Sequence, residues 1–166
     1  LTSGTVVSGG SSARIRQMSG LESNIRTGSF EAVSPFNYKQ NCLLYIPRDM
    51  PPPSNTKSVD ILAQRIEDLT EATYGHALVL FTSYRLMGEV HAMLQNRLPF
   101  PLLEAWRNGQ QIIRLFKSLP NAVLFAAGPC WEGIDFPGDM VSLLVIARLP
   151  FPVPAPLSEA EQKQYP

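Results

Sequence analysis

The stretch AAGPCWEGIDFPGDMVSLLVIARLPFP occupies residues 126–152. It joins the apolar run at residues 122–127 to a second apolar run at residues 141–147 through glycines, a tryptophan and acidic residues. A tight turn requires the glycines, because they accept left-handed backbone, but it does not require the Trp, the Glu or the Asp. The segment therefore indicates a loop that carries chemistry between two buried strands.

Apolar runs alternate with amphipathic helical patterns along the chain. The predicted strands are residues 42–47, 77–82, 101–106, 122–127 and 141–147. The predicted helices lie within residues 11–20, 59–75, 84–98 and 109–118. Strands that are apolar throughout are typical of a parallel sheet covered on both faces, and their alternation with helices indicates βαβ units. We predict an α/β fold with a mainly parallel sheet.

The composition is that of a globular domain. Of 166 residues, 45% are hydrophobic, and 14 Lys and Arg balance 14 Asp and Glu, so the net charge is zero. That balance gives no support for nucleic-acid binding, although a local basic strip remains compatible with it. No run approaches the about 20 apolar residues of a membrane span, and no secretory leader is visible, so we expect no membrane association. The two cysteines, Cys42 and Cys130, have no metal-binding spacing and suit a reducing, cytoplasmic setting.

In parallel sheets, ligand-binding residues lie mainly in the loops that follow the carboxyl ends of the strands. That rule selects residues 82–84, 105–110 and 128–138. In the last of these loops, Glu132 and Asp135 place carboxylates at the mouth of the sheet, and such groups accept hydrogen bonds from ribose hydroxyls. The alternative is an acidic turn whose Asp caps the local backbone.

Thr82, Ser83 and Tyr84 end one predicted strand and begin a helix. Hydroxyl and backbone N–H groups at a helix start suit phosphate oxygens, but the commoner role of such a Ser or Thr is an ordinary helix cap. Trp106 and Trp131 could stack on a base, although partly buried packing is the more frequent role of Trp in such a fold. The sequence has no G-x-x-x-x-G-K-[ST] phosphate loop and no G-x-S-x-G nucleophile motif, so this chain cannot cradle nucleotide phosphates alone.

The segments LTSGT, SPFNY, PRDMPPP, LVLFTSY and WEGIDFPGD…LPFP follow one another in an order that resembles the second RecA-like motor domain of the DinG/XPD-like superfamily 2 DNA helicases. The resemblance covers nearly the whole chain, and the WEGID segment is its most specific part. It implies a RecA-like three-layer α/β/α fold. Residues 1–30 then correspond to the end of the first motor domain and a connector, residues 31–150 to the second motor domain, and residues 151–166 to a proline-rich connector cut before the arginine-bearing motif VI.

The resemblance also implies an activity: an ATP-driven motor that moves along single-stranded DNA, usually 5′ to 3′, and unwinds duplexes. ATP and Mg²⁺ are then shared with the first RecA-like domain of the same polypeptide, and no iron–sulfur cluster is expected in this part. By the same resemblance, Glu132 and Asp135 are catalytic and Gly133 and Asp135 contact the nucleotide. The residues expected along the DNA are Thr2, Ser3, Thr82, Ser83, Tyr84 and Gly128.

The chain departs from the family pattern beside the loop. Ala127 and Pro129 stand where the family often has hydroxyl residues, and Pro129 also removes a backbone donor. Because motif VI does not appear before Pro166, this chain alone should not turn over ATP. The alternative is a non-catalytic RecA-like remnant that serves as a protein-interaction or regulatory module. A different nucleotide-binding α/β enzyme is a weaker alternative, because no phosphate loop or nucleophile is present.

Overall fold

The computed structural model describes residues 12–21, 28, 30, 32–106 and 109–151. The chain divides into two compact units, one made of residues 1–45 and 152–166 and the other of residues 46–151. Two short helices, α1 (Ala13–Met18) and α2 (Tyr38–Asn41), belong to the first unit. The other helices and strands of the described residues lie in the second unit, which carries the candidate site.

The second unit is built on a four-stranded sheet. Its strands are β1 (Ala77–Phe81), β2 (Leu102–Ala105), β3 (Val123–Ala127) and β4 (Leu143–Ile146), in the spatial order β2-β3-β1-β4. Every neighbouring pair is parallel. The helices between the strands are α3 (Ser58–Ala72), α4 (Tyr84–Leu94) and α5 (Gly109–Ser118). The predicted α/β fold with a parallel sheet, of the RecA-like kind, is confirmed.

The two faces of the sheet bury alternate residues of each strand, as the pleat requires. One face packs Val79, Phe81 and Phe125 against α3 and α4, and the Phe81 and Phe125 rings lie 5.1 Å apart. The other face packs Leu80 and Leu124 beneath α5 and beneath the chain that follows β3. Strands β1 and β3 are buried on both faces, which explains why their sequences are apolar throughout.

The amino edge of the sheet is closed by a strained turn between α3 and β1. Tyr74 and His76 adopt left-handed backbone, with φ of +53° and +47°, on either side of Gly75. The Asn121 side-chain amide donates to the Tyr74 carbonyl oxygen at 2.7 Å. His76 Nδ1 lies 2.8 Å from the carbonyl oxygen of Asp139, to which the Nδ1-protonated ring donates. These bonds hold conformations that non-glycine residues adopt only at a cost.

Residues 42–47 are a correction to the predicted strands. They follow α2 without forming a strand, no strand among the described residues pairs with them, and Leu43 and Leu44 are 92% and 80% exposed. A short apolar run indicates a strand only if a neighbour pairs with it, and the run itself does not encode that neighbour. The predicted helices and the other four predicted strands are present, with ends shifted by a few residues.

Candidate functional site at the carboxyl edge of the sheet

Glu132 and Asp135 lie in the connection from β3 to β4. Glu132 follows the turn just beyond the carboxyl end of β3, and Asp135 lies three residues further on, beside Lys117 in the last turn of α5. The chain leaves Ala127 through a short 3-10 turn, Gly128–Trp131, and both carboxylate residues after it are exposed. Parallel strands present their ligands at this edge. The carboxylates are therefore accessible to a partner, as the sequence-based prediction requires.

Trp131 anchors the first half of this loop. Its indole Nε1 donates to the carbonyl oxygen of Phe81, the last residue of β1, at 3.0 Å. The ring is partly buried against the apolar cluster beneath α5. The tryptophan thus has the packing role that the sequence favoured for it, and it fixes where Glu132 begins.

Phe136 anchors the second half of the loop. Its ring meets Phe116 of α5 edge to face, with ring centres 5.6 Å apart. Lys117 Nζ lies 5.4 Å from the centre of the Phe136 ring and donates to the Asp135 carbonyl oxygen at 2.5 Å. The backbone of Asp135 is therefore held while its carboxylate stays exposed, which is the arrangement that a pre-positioned ligand contact needs.

Between the two anchors, Gly133 has a φ of +74° and faces open space, since a Cβ added there meets no atom within 4 Å. Glycine is needed here for the backbone conformation rather than for close packing. The opening also lets a ligand approach the main chain. These features fit the nucleotide contact predicted for Gly133 and Asp135.

Gly128 is needed for close packing as well. Its φ is +61°, and a Cβ added there would lie 2.7 Å from the Tyr84 hydroxyl oxygen. Tyr84 is the first residue of α4, so this contact joins the start of α4 to the turn that leads to Glu132. Two of the residues predicted along the DNA, Tyr84 and Gly128, are thus brought together.

Ser83 caps α4, because its hydroxyl oxygen accepts a hydrogen bond from the Leu86 N–H at 3.4 Å. The ordinary capping role considered from the sequence is therefore present, and the DNA contact predicted for Ser83 stays a prediction. Thr82 is exposed beside it. Thr2 and Ser3 lie outside the described residues.

Trp106 departs from the packing role that the sequence favoured. Its side chain is 48% exposed at the end of β2, and its ring stacks on Tyr84 with centres 5.4 Å apart and planes 15° apart. Its Nε1 donates to Glu104 Oε2 at 2.9 Å. The sequence offered no signal for this pair, because the two aromatic residues are brought together only by the packing of α4 on the sheet.

Other features do not include Glu132 or Asp135, or carry no specific chemistry. A cavity of about 350 Å³ opens at the amino edge, between His76, Lys117 and Pro137, and contains neither Glu132 nor Asp135. Both cysteines are free thiols, and burial raises the pKa of Cys130. Among the residues that the structure describes, none of the helices is long and apolar enough to cross a membrane.

Comparison with known proteins settles the family. Residues 66–166 match the helicase C-terminal domain family. The chain belongs to that family. This helicase C-terminal domain is also similar to proteins named as DinG-like helicases, so the family predicted from the WEGID segment is confirmed.

Three relatives illustrate the similarity. The ATP-dependent DNA helicase YoaA of Escherichia coli is 34% identical over 73% of this chain and 19% of its own length. The ATP-dependent helicase DinG of Mycobacterium tuberculosis is 31% identical over 98% of this chain and 25% of its own length. A Bacillus subtilis protein named 3′-5′ exonuclease DinG is 29% identical over 93% of this chain and 17% of its own length. The helicase C-terminal domain described here thus spans a quarter or less of each of these relatives.

Proposed function

We propose that this helicase C-terminal domain is the second motor domain of a DinG-like, ATP-dependent DNA helicase. In that protein it couples ATP binding and hydrolysis to movement along single-stranded DNA, in the 5′ to 3′ direction, and to duplex unwinding. The family match and the relatives named ATP-dependent helicases support the proposal. The observation that carries it is the loop of Glu132 and Asp135, which is exposed at the carboxyl edge and fastened on both sides by Trp131 and Phe136.

ATP binds, in this proposal, between this domain and the first RecA-like domain of the same polypeptide. ATP would supply the phosphoryl group, and Mg²⁺ would neutralise the charge of the phosphates. Because this chain has no phosphate loop, the other domain would hold the phosphates and Mg²⁺. Asp135 accepts hydrogen bonds from nucleotide hydroxyls, and Gly133 allows the nucleotide to approach the backbone. Glu132, next to the Trp131 anchor, positions the loop across the cleft between the domains.

Single-stranded DNA lies, in this proposal, along the start of α4. Thr82, Ser83 and Tyr84 offer hydroxyls and backbone N–H groups to phosphates, and Gly128 allows close approach beside them. Thr2 and Ser3 are proposed to couple the DNA and nucleotide sites. Contacts to phosphates do not depend on base sequence and weaken with salt, as a motor that moves over any sequence requires. With zero net charge, this domain alone should hold DNA weakly.

The proposed cycle is a closure of the two motor domains on ATP and an opening after hydrolysis, with the grip on DNA alternating between them. The loop of Glu132 and Asp135 is the part of this domain that senses the state of the cleft. Such a motor is expected to work in the cytoplasm, where its DNA substrate lies.

The proposal is tested by ATP hydrolysis of the intact polypeptide with and without single-stranded DNA. We expect hydrolysis that DNA stimulates, and displacement of a duplex that has a 5′ single-stranded tail but not of one with a 3′ tail. The non-catalytic alternative gives no turnover under either condition and no effect of substituting Glu132. Displacement of only the 3′-tailed duplex overturns the proposed direction and leaves the motor function standing.

A further inference from the structure

Two exposed aromatic side chains form a stacked pair at the carboxyl edge of the sheet. Trp106 is 48% exposed and Tyr84 is 36% exposed, although their ring planes are only 15° apart and their centres 5.4 Å apart. Rings that stack inside a core lose nearly all contact with solvent, whereas this pair keeps a large part of its surface accessible. The pair has the flat, partly apolar form that favours stacking with another ring.

Glu104 fixes the orientation of the Trp106 indole through a hydrogen bond. Its Oε2 accepts the Trp106 Nε1 proton at 2.9 Å, and its side chain is only 19% exposed. Its other oxygen, Oε1, is buried and has no hydrogen-bond partner among the described residues. Oε2 also lies 3.9 Å from His91 Nδ1 on α4, so the carboxylate is positioned between the indole and the imidazole. Because the indole N–H is occupied by Glu104, the remaining exposed surface of Trp106 is its ring.

The backbone of α4 leaves room for this arrangement. Gly88, one turn into α4, lies under the indole, and a Cβ added there would lie 4.0 Å from a ring carbon of Trp106. On its other side, the Tyr84 hydroxyl rests against Gly128. The pair is therefore bounded by Glu104 and Gly88 at one end and by the turn before Glu132 at the other.

We propose that Trp106 and Tyr84 form a stacking platform for a nucleobase of single-stranded DNA, with Glu104 as the residue that positions the indole. The inference rests on the proposed helicase function and adds to it a base contact beside the predicted phosphate contacts. Every base has a flat π face, so such a platform serves a motor that must not select sequence. Because Tyr84 also touches Gly128, a base on the platform lies next to the loop of Glu132 and Asp135.

The test is equilibrium binding of the intact polypeptide to an oligo-dT strand and to an abasic strand of the same length, measured by fluorescence anisotropy. Trp106→Ala should weaken binding to oligo-dT by about 5- to 100-fold, which corresponds to one lost base stack. The same variant should bind the abasic strand as the wild type does, and the salt dependence of binding should stay unchanged, since no phosphate contact is removed.

Matched variants separate a stacking role from a structural one. Trp106→Phe keeps a ring and should retain most of the affinity for oligo-dT, whereas Trp106→Leu keeps apolar bulk without a flat face and should lose it. Glu104→Gln keeps an acceptor for the indole N–H and should bind as the wild type, whereas Glu104→Leu should weaken binding to oligo-dT alone. Tyr74→Ala removes an exposed tyrosine at the opposite edge and should leave binding unchanged.

The outcomes are distinguishable. Equal loss on both strands, or wild-type affinity in Trp106→Leu and Glu104→Leu, overturns the platform. If Trp106→Ala does not fold, as judged by circular dichroism, the affinities of Trp106→Leu and Trp106→Phe for oligo-dT test the platform instead. If the wild-type polypeptide binds neither strand, the proposed helicase function itself fails.

Discussion

The two edges of the sheet differ in how they use strained backbone and polar groups. At the amino edge, two left-handed positions beside Gly75 are occupied by the non-glycine residues Tyr74 and His76, whose backbone and ring make hydrogen bonds within the chain. At the carboxyl edge, the left-handed positions Gly128 and Gly133 are glycines. The acidic side chains of Glu132 and Asp135 are exposed, and contacts of Trp131 and Phe136 hold their loop in place.

The two edges of the sheet therefore have different roles. Bonds that satisfy polar groups inside the chain stabilise it, and non-glycine residues in left-handed conformations persist only where such bonds hold them. Side chains that stay exposed on a fastened loop add little to stability but are pre-positioned for a ligand. Substitutions at the amino edge should therefore leave activity unchanged, and removal of an exposed carboxylate from the loop of Glu132 and Asp135 should lower activity without lowering stability.

The largest effect is expected from Asp135→Ala in the intact polypeptide. ATP turnover should fall on the order of a hundredfold, the scale of a lost catalytic or positioning group. The melting temperature should stay unchanged, because among the described residues the bonded group of Asp135 is its backbone carbonyl, which the variant keeps. ATP hydrolysis and thermal unfolding measure the two effects.

Asp139→Ala is the matched control, since Asp139 is an exposed Asp of the same connection whose backbone carbonyl is also the bonded group. It lies at the amino edge and should keep wild-type turnover. Equal losses in the two variants would remove the distinction between the edges.

The next effect is a loss of stability in Gly128→Ala. The left-handed backbone costs about 1–2 kcal/mol for alanine, and the contact with the Tyr84 hydroxyl adds to that cost. Gly133→Ala has the same backbone cost but no neighbour within 4 Å, so it isolates the backbone contribution. Urea unfolding of the chain should show a larger loss of unfolding free energy for Gly128→Ala.

Adding Tyr84→Phe to Gly128→Ala removes the clashing oxygen. The loss of unfolding free energy in the double variant should therefore fall to that of Gly133→Ala. A double variant no more stable than Gly128→Ala would show that Tyr84 does not press on this turn.

How far the sequence predicts this molecule depends on whether a feature is local. The four strands and three helices of the second unit are encoded by local periodicity, and so is the capping role of Ser83. The parallel sheet follows from strands that are apolar on both faces. The family was recognisable because the WEGID segment is contiguous in the chain.

Features that need a partner distant in sequence were not predictable. Residues 42–47 have a strand-like composition but no paired neighbour among the described residues, so the predicted strand was wrong. Trp106 and Trp131 look alike in the sequence, yet Trp131 reaches the Phe81 carbonyl and packs, whereas Trp106 stacks on Tyr84 and stays exposed. Only the docking of helices on the sheet separates the two tryptophans.

A smaller effect is expected from Trp131→Phe. It removes the N–H that bonds the Phe81 carbonyl, which costs about 1 kcal/mol of unfolding free energy, and it keeps most of the apolar packing. Because this bond also fastens the loop in front of Glu132, the KM for ATP of the intact polypeptide should rise. A change in stability without any change in KM would show that the anchor does not position the loop.

The smallest effect is expected from His76→Gly at the amino edge. Glycine relieves about 1 kcal/mol of left-handed strain, while the lost bond to the Asp139 carbonyl costs about as much, so the net change in stability should be close to zero. ATP turnover should be that of the wild type. Reduced turnover in this folded variant would show that the amino edge contributes to activity, and would contradict the different roles of the two edges.

The central claim is that the loop of Glu132 and Asp135 faces a bound nucleotide. Hydrogen–deuterium exchange of the intact polypeptide, with and without a non-hydrolysable ATP analogue, tests it most directly. We expect slower exchange of the backbone amides of residues 128–136 when the analogue is bound, and unchanged exchange at the amino-edge residues 119–122. Unchanged exchange at residues 128–136 under saturating analogue would contradict it.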